Sequence, residues 1–194
     1  VRSRLMGIPT LIKTQTASNS ASLDFVDGTS DVVLDSTYDE YMFVFTDIGP
    51  ATDNVAFHFQ VNATDDAGGG YDTSQIQSTA ISAYQNEDGD ETSLAYSTSN
   101  DQANGTAFQT LTGSIGNDAD SSLAGTLHLF SPSSTTYVKH FYARVHSSGS
   151  AGAETYAQSD FIAGYINDTT AIDEIQFKMS SGNFDGVIQM YGIA

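Results

Sequence analysis

The amino-acid sequence predicts an all-β protein: an antiparallel β-sandwich with jelly-roll-like connections and an extended N-terminal arm. Three observations predict this fold class. Apolar and polar residues alternate with a period of two along many short segments, which places the apolar side chains on one face of a strand. Clusters of Gly, Asp, Asn, Ser and Pro separate these segments and are typical of turns. Short strands that recur at a fairly regular spacing favour a sandwich over a helical fold.

The first part of the chain divides into an arm and the first strands. Residues 1–10 show no sustained alternation and are expected to form the extended arm, and residues 11–194 are expected to form one sandwich domain. Strands are predicted over residues 11–17 and 21–25. Residues 41–45 are apolar on both faces, so we expect a central strand whose second face is covered by a neighbouring subunit.

The clearest alternation lies in the middle and near the end of the chain. Over residues 55–62, Phe57, Phe59 and Val61 alternate with mostly polar neighbours, and residues 175–179 repeat the pattern. A single helical turn is predicted near residues 170–174. The remaining strands are predicted over residues 79–84, 107–111, 123–130, 137–145, 161–166 and 187–191.

Two long segments interrupt this rhythm. Residues 62–78 and 85–106 are polar and rich in Gly, Asp, Ser and Asn. Loops of this length in a compact domain are usually binding loops or inter-subunit arms. Tyr71, Tyr84 and Tyr96 are expected in these loops, where their rings suit packing in an interface or in the core, or stacking against sugars.

The charge balance excludes several classes of partner. Lys and Arg number 6 against 24 Asp and Glu, which gives a formal net charge of −18. A phosphate backbone or an anionic membrane surface would repel this chain, because binding to either depends on Lys and Arg. The apolar segments are also far shorter than the roughly 18 residues that a membrane-spanning helix needs. We therefore expect no nucleic-acid partner and no membrane partner. An acidic, Lys-poor surface agrees with a saline habitat.

The sequence contains no recognisable catalytic machinery, so we do not expect an enzyme. The absence of Cys removes disulfides, thiol nucleophiles and Cys-type zinc sites, and no Gly-x-Ser-x-Gly pattern is present. His140 and His146 are expected on one face of a strand but about 20 Å apart, too far to bind one ion. His58 and His128 fall at polar strand positions that suit a surface or an interface. No catalytic residue, cofactor-binding residue or metal ligand is assigned, and no cofactor is expected.

Two acidic loops raise the question of a calcium site. Residues 86–91 place several oxygen ligands beside a Gly turn, and residues 117–120 do so more briefly. Calcium requires about six to eight oxygen ligands, and neither loop completes the EF-hand pattern with its distal Glu. A solvated loop is the favoured interpretation of both, with calcium at residues 86–91 as the alternative.

Four segments spread over nearly the whole chain are distinctive. They are MGIPTLI at residues 6–12, STYDEY at residues 36–41, PSSTTYVKHF at residues 132–141, and the ending that begins with SSGN at residue 180. Together they resemble an abundant group of structural proteins from marine tailed bacteriophages. The resemblance implies a virion component, such as a head decoration or a fibre part. Because that group has no known catalytic residues, no functional residue is carried over to this chain.

Composition, periodicity and resemblance together predict a structural protein of a phage virion. We expect an outer capsid decoration or cement protein on the outer surface of the particle. Its partners would be its own copies, in a closed homo-oligomer with a trimer as the expected form, and the major capsid protein or other virion proteins. The first alternative is a head or tail fibre or turret component that binds host glycans through the long loops. A carbohydrate-active enzyme or free lectin of sandwich fold is a third hypothesis.

Overall fold

A computed structural model describes residues 7–65, 71, 74–151 and 154–194 of the chain. Within these ranges the chain forms strands and no helix, which confirms the predicted all-β class, and no segment qualifies as a membrane-spanning helix. Most of the predicted arm, residues 1–6, lies outside the described residues. The strands are β1 (Thr10–Ser20), β2 (Leu23–Val26), β3 (Glu40–Pro50), β4 (Val55–Ala63), β5 (Ile76–Asn86), β6 (Thr92–Tyr96), β7 (Ala103–Gly105), β8 (Gln109–Ile115), β9 (Leu123–Phe130), β10 (Lys139–Ala151), β11 (Glu154–Ile166), β12 (Ile172–Met179) and β13 (Phe184–Ile193).

The described strands form two antiparallel sheets that pack as a sandwich. The large sheet follows the order β1-β13-β3-β9-β10-β11-β5-β6, with β7 also paired to β5. The small sheet follows the order β2-β12-β4-β8. Alternation with a period of two turns one face of most strands toward the other sheet, as the sequence predicts, whereas β6 is exposed along nearly its whole length.

The strand pairing is nested in the manner of a jelly roll. β1 pairs with β13, β2 with β12, β3 with β9, and β4 with β8, so the first strand of the set meets the last and the pattern continues inward. Strands nested in this way and shared between two sheets make the jelly-roll topology. The other strands are insertions: β5 to β7 follow β4, and β10 and β11 follow β9. All of them extend the large sheet, which becomes wider than the small one.

A cluster of phenylalanine rings joins the two sheets. Phe177 of β12 lies at its centre, 5.3 Å between ring centroids from both Phe43 and Phe45 of the large sheet. Its ring also stacks on Phe57 of the small sheet, at 6.0 Å. All four side chains are almost completely buried. Rings of this size supply much of the apolar area that a sandwich core buries, and edge-to-face pairs add a modest further gain.

Under the inserted strands the interior is more polar. Asp160 is 2% exposed and accepts hydrogen bonds from Ser82 and, at 2.8 Å, from the side chain of Gln158. Thr112 of β8 and Ser147 of β10 are buried and share a hydrogen bond of 3.2 Å. Buried polar groups are tolerated when they are hydrogen-bonded in this way.

Two details of the sequence prediction are wrong. The segment 85–106 was expected to be a long loop, yet it contains β6 and β7, which pair with β5. The helical turn expected near residues 170–174 is absent, because β12 already begins at Ile172. In both cases pairing with a neighbouring strand overrides weak local signals.

Candidate functional site: the outer face of the large sheet

The strand register brings a broad set of outward-facing side chains together on the large sheet. We call this set the docking face. One row of cross-strand neighbours consists of Leu11, Tyr191, Met42, His128, Tyr142, Ala163 and Thr79. The next row consists of Thr14, Gln189, Val44, Thr126, Arg144, Phe161, Ile81 and Tyr96. The flanking rows consist of Ile193, Glu40, Phe130, His140, Tyr165 and Gln77 on one side, and Ala124, His146, Ser159, Ala83 and Leu94 on the other.

Large apolar side chains are exposed on this face. In the described part of the chain, seven large apolar residues are exposed. Five of them belong to the docking face, and Ile8 and Tyr137 do not. The five on the face are Leu11 (50% exposed), Ile81 (48%), Leu94 (76%), Tyr96 (52%) and Phe161 (45%). Four of the five, all except Leu11 at the opposite edge of the sheet, are close together on β11, β5 and β6. Scattered exposed apolar residues are ordinary, but a contiguous apolar set of this kind marks an interaction surface.

The docking face is also almost free of negative charge. Glu40 is its single carboxylate, although the chain carries 24 Asp and Glu. The carboxylate of Glu40 lies 2.5 Å from Nδ1 of His128, so a neighbour on the same face satisfies it. Arg144 and the imidazoles of His140 and His146 are the other charged or chargeable groups of the face. The other Asp and Glu residues lie outside this set, although Glu87 and Asp120 lie near His146 at its edge.

Aromatic rings form the centre of the docking face. The ring of His128 stacks on Tyr142 with 4.4 Å between centroids and 13° between planes. Phe130 and Phe161 flank Tyr142 at 5.8 Å and 6.4 Å. These contacts hold the side chains in place before any partner binds. Preordered aromatic side chains cost little entropy on binding and are enriched at the centres of protein interfaces.

The outer face of the small sheet is different, because other parts of the chain cover it. Phe108 lies under the ammonium group of Lys178, with 4.0 Å between Nζ and the ring centroid. The ring of Tyr71 packs near Phe108, and its hydroxyl donates a hydrogen bond of 2.6 Å to Asp24. Burial, and then this hydrogen bond, raise the pKa of Tyr71. Burial, and then the charge of Lys178, lower the pKa of His58 to about 4. The docking face has no comparable cover among the described residues.

The tyrosines and histidines singled out in the sequence are distributed over both sheets. Tyr84 and Tyr96 lie on strands β5 and β6 rather than in a loop. The hydroxyl of Tyr84 donates to Glu91, at 2.8 Å, and that of Tyr96 donates to Asp101 at the margin of the docking face. Three of the four histidines lie on the docking face, and His58 lies on the small sheet. In the described residues no group of three or more His, Asp and Glu side chains is placed to hold a metal ion.

The acidic loop at residues 86–91 is the turn between β5 and β6, and its side chains bond within the protein. The side-chain amide of Asn86 donates to Asp90 at 2.6 Å, and its carbonyl oxygen accepts from the main-chain N–H of Glu91 at 3.0 Å. Thr155 donates to Glu87 at 2.6 Å. These contacts direct the carboxylates to different partners rather than to a common point.

The fold brings the two acidic loops to one open pocket of about 420 Å³. Asn86 and Glu87 line it from the first loop, and Asp120 lines it from the second. His146, Ser148 and Tyr156 of the β10–β11 hairpin also line it. A pocket with a mostly polar lining suits a polar, hydroxyl-rich molecule.

Comparison with protein-family models, with curated proteins and with solved structures finds no match.

Sequence reasoning identified only a small part of the docking face. The two-faced apolar strand at residues 41–45 indicated an outer surface in need of a cover, and Met42 and Val44 do lie on the docking face. The further signal was the presence of Phe130, Tyr142 and Phe161 at outward-facing strand positions. Alternation within single strands cannot show that these positions become neighbours, because that depends on strand order and register.

Proposed function

We propose that the protein is a structural component of a bacteriophage virion, an outer capsid decoration or cement protein that acts through contacts with its own copies and with capsid proteins. Its place would be the outer surface of the particle. No catalytic step is part of this role.

The docking face is the observation that carries the proposal. No other described part of the chain covers this aromatic surface, its side chains are already held in place, and its one carboxylate is bound to His128. Such a surface is suited to binding other proteins rather than to turning over a small molecule. A small-molecule enzyme needs a concave site with converging reactive groups instead.

The fold and the charge distribution support the same role. Jelly rolls recur in viral capsid and lectin domains, although a fold alone does not fix a function. Acidic groups on the remaining surfaces would keep the protein away from packaged nucleic acid and separate neighbouring particles. The four segments that resemble marine phage structural proteins agree with this location.

Binding to phage heads tests the proposal. Purified protein is mixed with empty expanded heads of the phage that encodes it, and the sedimented fraction is quantified. We expect saturable binding at a fixed number of copies per head, and we expect the native protein to be present in purified virions by mass spectrometry. Protein that stays in the supernatant and is missing from virions would overturn the proposal.

The pocket at the two acidic loops favours a second candidate function. A head or tail fibre or turret component that binds host glycans would need a pocket lined by polar side chains, and Glu87, Asp120 and His146 provide them. Such groups accept and donate hydrogen bonds to the hydroxyl groups of a sugar.

A glycan array separates the two candidates. A fibre component gives selective binding to host polysaccharides that Tyr156→Ala weakens, whereas Tyr137→Ala, an exposed tyrosine away from the pocket, leaves it unchanged. Absence of any selective signal from the native protein would remove this second candidate.

A further inference from the structure

We infer that the docking face is the contact surface between copies of this chain. This inference rests on the proposed function and deepens it, because it names the partner of that surface. It also assigns attachment to the capsid to other parts of the molecule.

Charge gives the first reason to choose a second copy as the occupant. Two copies that each carry a formal charge of −18 repel one another wherever their acidic surfaces meet. The docking face is a surface on which two copies bring few carboxylates together, since Glu40, its single carboxylate, is bound to His128. A basic partner would favour carboxylates on this face, and their near absence favours an acidic partner.

The charge at the margin of the docking face is opposite to the charge at its centre. Arg144 stands in the central row, between Thr126 and Phe161. Asp101 lies at the margin, where it accepts a hydrogen bond from Tyr96. If two copies pack with their faces offset, Arg144 of one copy approaches Asp101 of the other. Complementary charges of this kind steer association and fix its register.

The area of the face is close to what stable association needs. The strands of the large sheet lie about 4.8 Å apart, and alternate residues along a strand lie about 6.7 Å apart. These spacings give the docking face an area on the order of 700 Å². Specific protein interfaces bury about 800 Å² on each partner.

The shape of the face favours a ring of copies over a two-fold stack. Neighbouring strands in a sheet are rotated by about 20°, so a wide sheet is strongly twisted. A single flat partner surface cannot stay in contact with the whole of a sheet that is twisted to this extent. In a closed ring each copy contacts two neighbours with different parts of the face, and the two contacts together bury the area of about 700 Å² given above. A trimer is the smallest such ring.

The mass of the purified full chain in solution, with no phage protein present, tests the inference. We expect sedimentation equilibrium and native mass spectrometry to give a multiple of the 20.6 kDa chain mass, with three copies as the expected number. A mass of one chain at micromolar concentration would overturn the inference, whatever the heads bind.

Substitutions locate the contact. Leu94→Asp and Phe161→Asp place a carboxylate on exposed positions of the face, and each is expected to weaken association by about tenfold or more. Tyr137→Asp is the matched control, because Tyr137 is 73% exposed and lies off the face, and it is expected to leave association unchanged. Far-ultraviolet circular dichroism verifies that all three variants remain folded. Folded Leu94→Asp and Phe161→Asp variants that associate as tightly as the native chain would overturn the inference.

The two proposals fail separately. Self-association without binding to heads would overturn the virion role and leave the inference intact. A monomer in solution whose binding to heads is abolished by Phe161→Asp would assign the face to the capsid and overturn the inference.

Discussion

The ammonium group of Lys139 lies 3.1 Å from the main-chain carbonyl oxygen of Asp168, to which it donates a hydrogen bond. It donates a second hydrogen bond to the carbonyl oxygen of Thr170. Lys139 is 0% exposed, and burial lowers its pKa while Asp168 and Asp65 oppose that shift. A cation inside the protein thus ties the start of β10 to the segment that leads into β12.

Removing this ammonium group should destabilise the fold. Lys139→Met keeps most of the side-chain volume but leaves two carbonyl groups without their donor, so we expect the free energy of unfolding to fall by about 2–3 kcal/mol. Urea unfolding followed by circular dichroism measures the change. Lys13→Met is the control, because Lys13 donates a solvent-exposed hydrogen bond to Ser30, and a change below about 0.5 kcal/mol is expected there. Equal effects of the two substitutions would contradict this account.

Stability should fall between pH 7 and pH 5 because of His58. Its pKa is about 4 in the folded protein, where burial disfavours the charged form, and about 6.5 in an unfolded chain. The unfolded state therefore binds the proton first as the pH falls, which costs about 2 kcal/mol of stability by pH 5. The loss begins below the unfolded pKa and ends near the folded pKa.

The variant His58→Gln should make the unfolding free energy less dependent on pH in this range. His140→Gln serves as the control, since His140 is exposed on the other sheet, and it should retain the dependence of the native chain. Urea unfolding at pH 7, 6 and 5 gives the comparison. An identical pH dependence in native protein and His58→Gln would show that another group is responsible.

A methyl group at Gly125 should not fit. A Cβ atom built at this position of β9 would lie 2.4 Å from the carbonyl oxygen of Arg144 and 2.7 Å from the Cα atom of Val145. These are main-chain atoms that cannot move aside easily, so Gly125→Ala is expected to cost about 2–3 kcal/mol. At Gly113 of β8 the nearest atom would be 3.5 Å away, and Gly113→Ala should cost less than about 1 kcal/mol. Thermal unfolding of both variants decides the point, and a melting temperature of Gly125→Ala equal to that of Gly113→Ala would refute it.

Calcium should not stabilise the protein. The side chains of the loop at residues 86–91 already bond to Thr155, to Tyr84 and to one another. We expect the melting temperature to stay within about 1 °C when calcium or a chelator is added, because a ligand that binds the folded state would raise it. A rise with calcium that a chelator reverses would restore the calcium hypothesis for this loop.

The sequence was most informative where alternation is strong. The strand predicted over residues 123–130 matches β9, and the strand predicted over residues 55–62 matches β4 except at its end. In β4 large apolar residues face the core at every second position, and in β9 they do so except at Gly125. The hydrophobic effect then specifies the strand and its inward face together.

The β10–β11 hairpin shows where such reasoning stops. Predicted strands ended at residue 145 and began at residue 161, yet β10 runs to Ala151 and β11 begins at Glu154. The intervening residues are mostly Ser, Gly, Ala and Gln, which give no apolar period. Residues 146–151 and 154–160 nevertheless form strands, because β10 and β11 pair with each other and β11 also pairs with β5. Main-chain pairing of this kind leaves little trace in composition.

The polar interior was equally hidden. Gln109 is 0% exposed, and its amide donates to the carbonyl oxygen of Asn100 at 2.6 Å while its carbonyl accepts from Ser78 at 2.7 Å. By residue type, Gln, Asn and Ser are expected at the surface. Only the assembled fold shows that the inserted strands need such partners beneath them.

When the inserted strands open, water can replace the hydrogen bonds that Asp160 makes beneath them. Water cannot replace the apolar contacts of Phe177 in the core of the nested jelly roll. The insertion is therefore expected to open in local fluctuations that leave the nested jelly roll closed, and its amide protons to exchange with solvent sooner. A neighbouring copy seated on Phe161 and Leu94 would hold these same strands shut. Assembly would then suppress the opening of the inserted strands in each subunit. The assembled protein would therefore be more resistant to proteases than the isolated subunit.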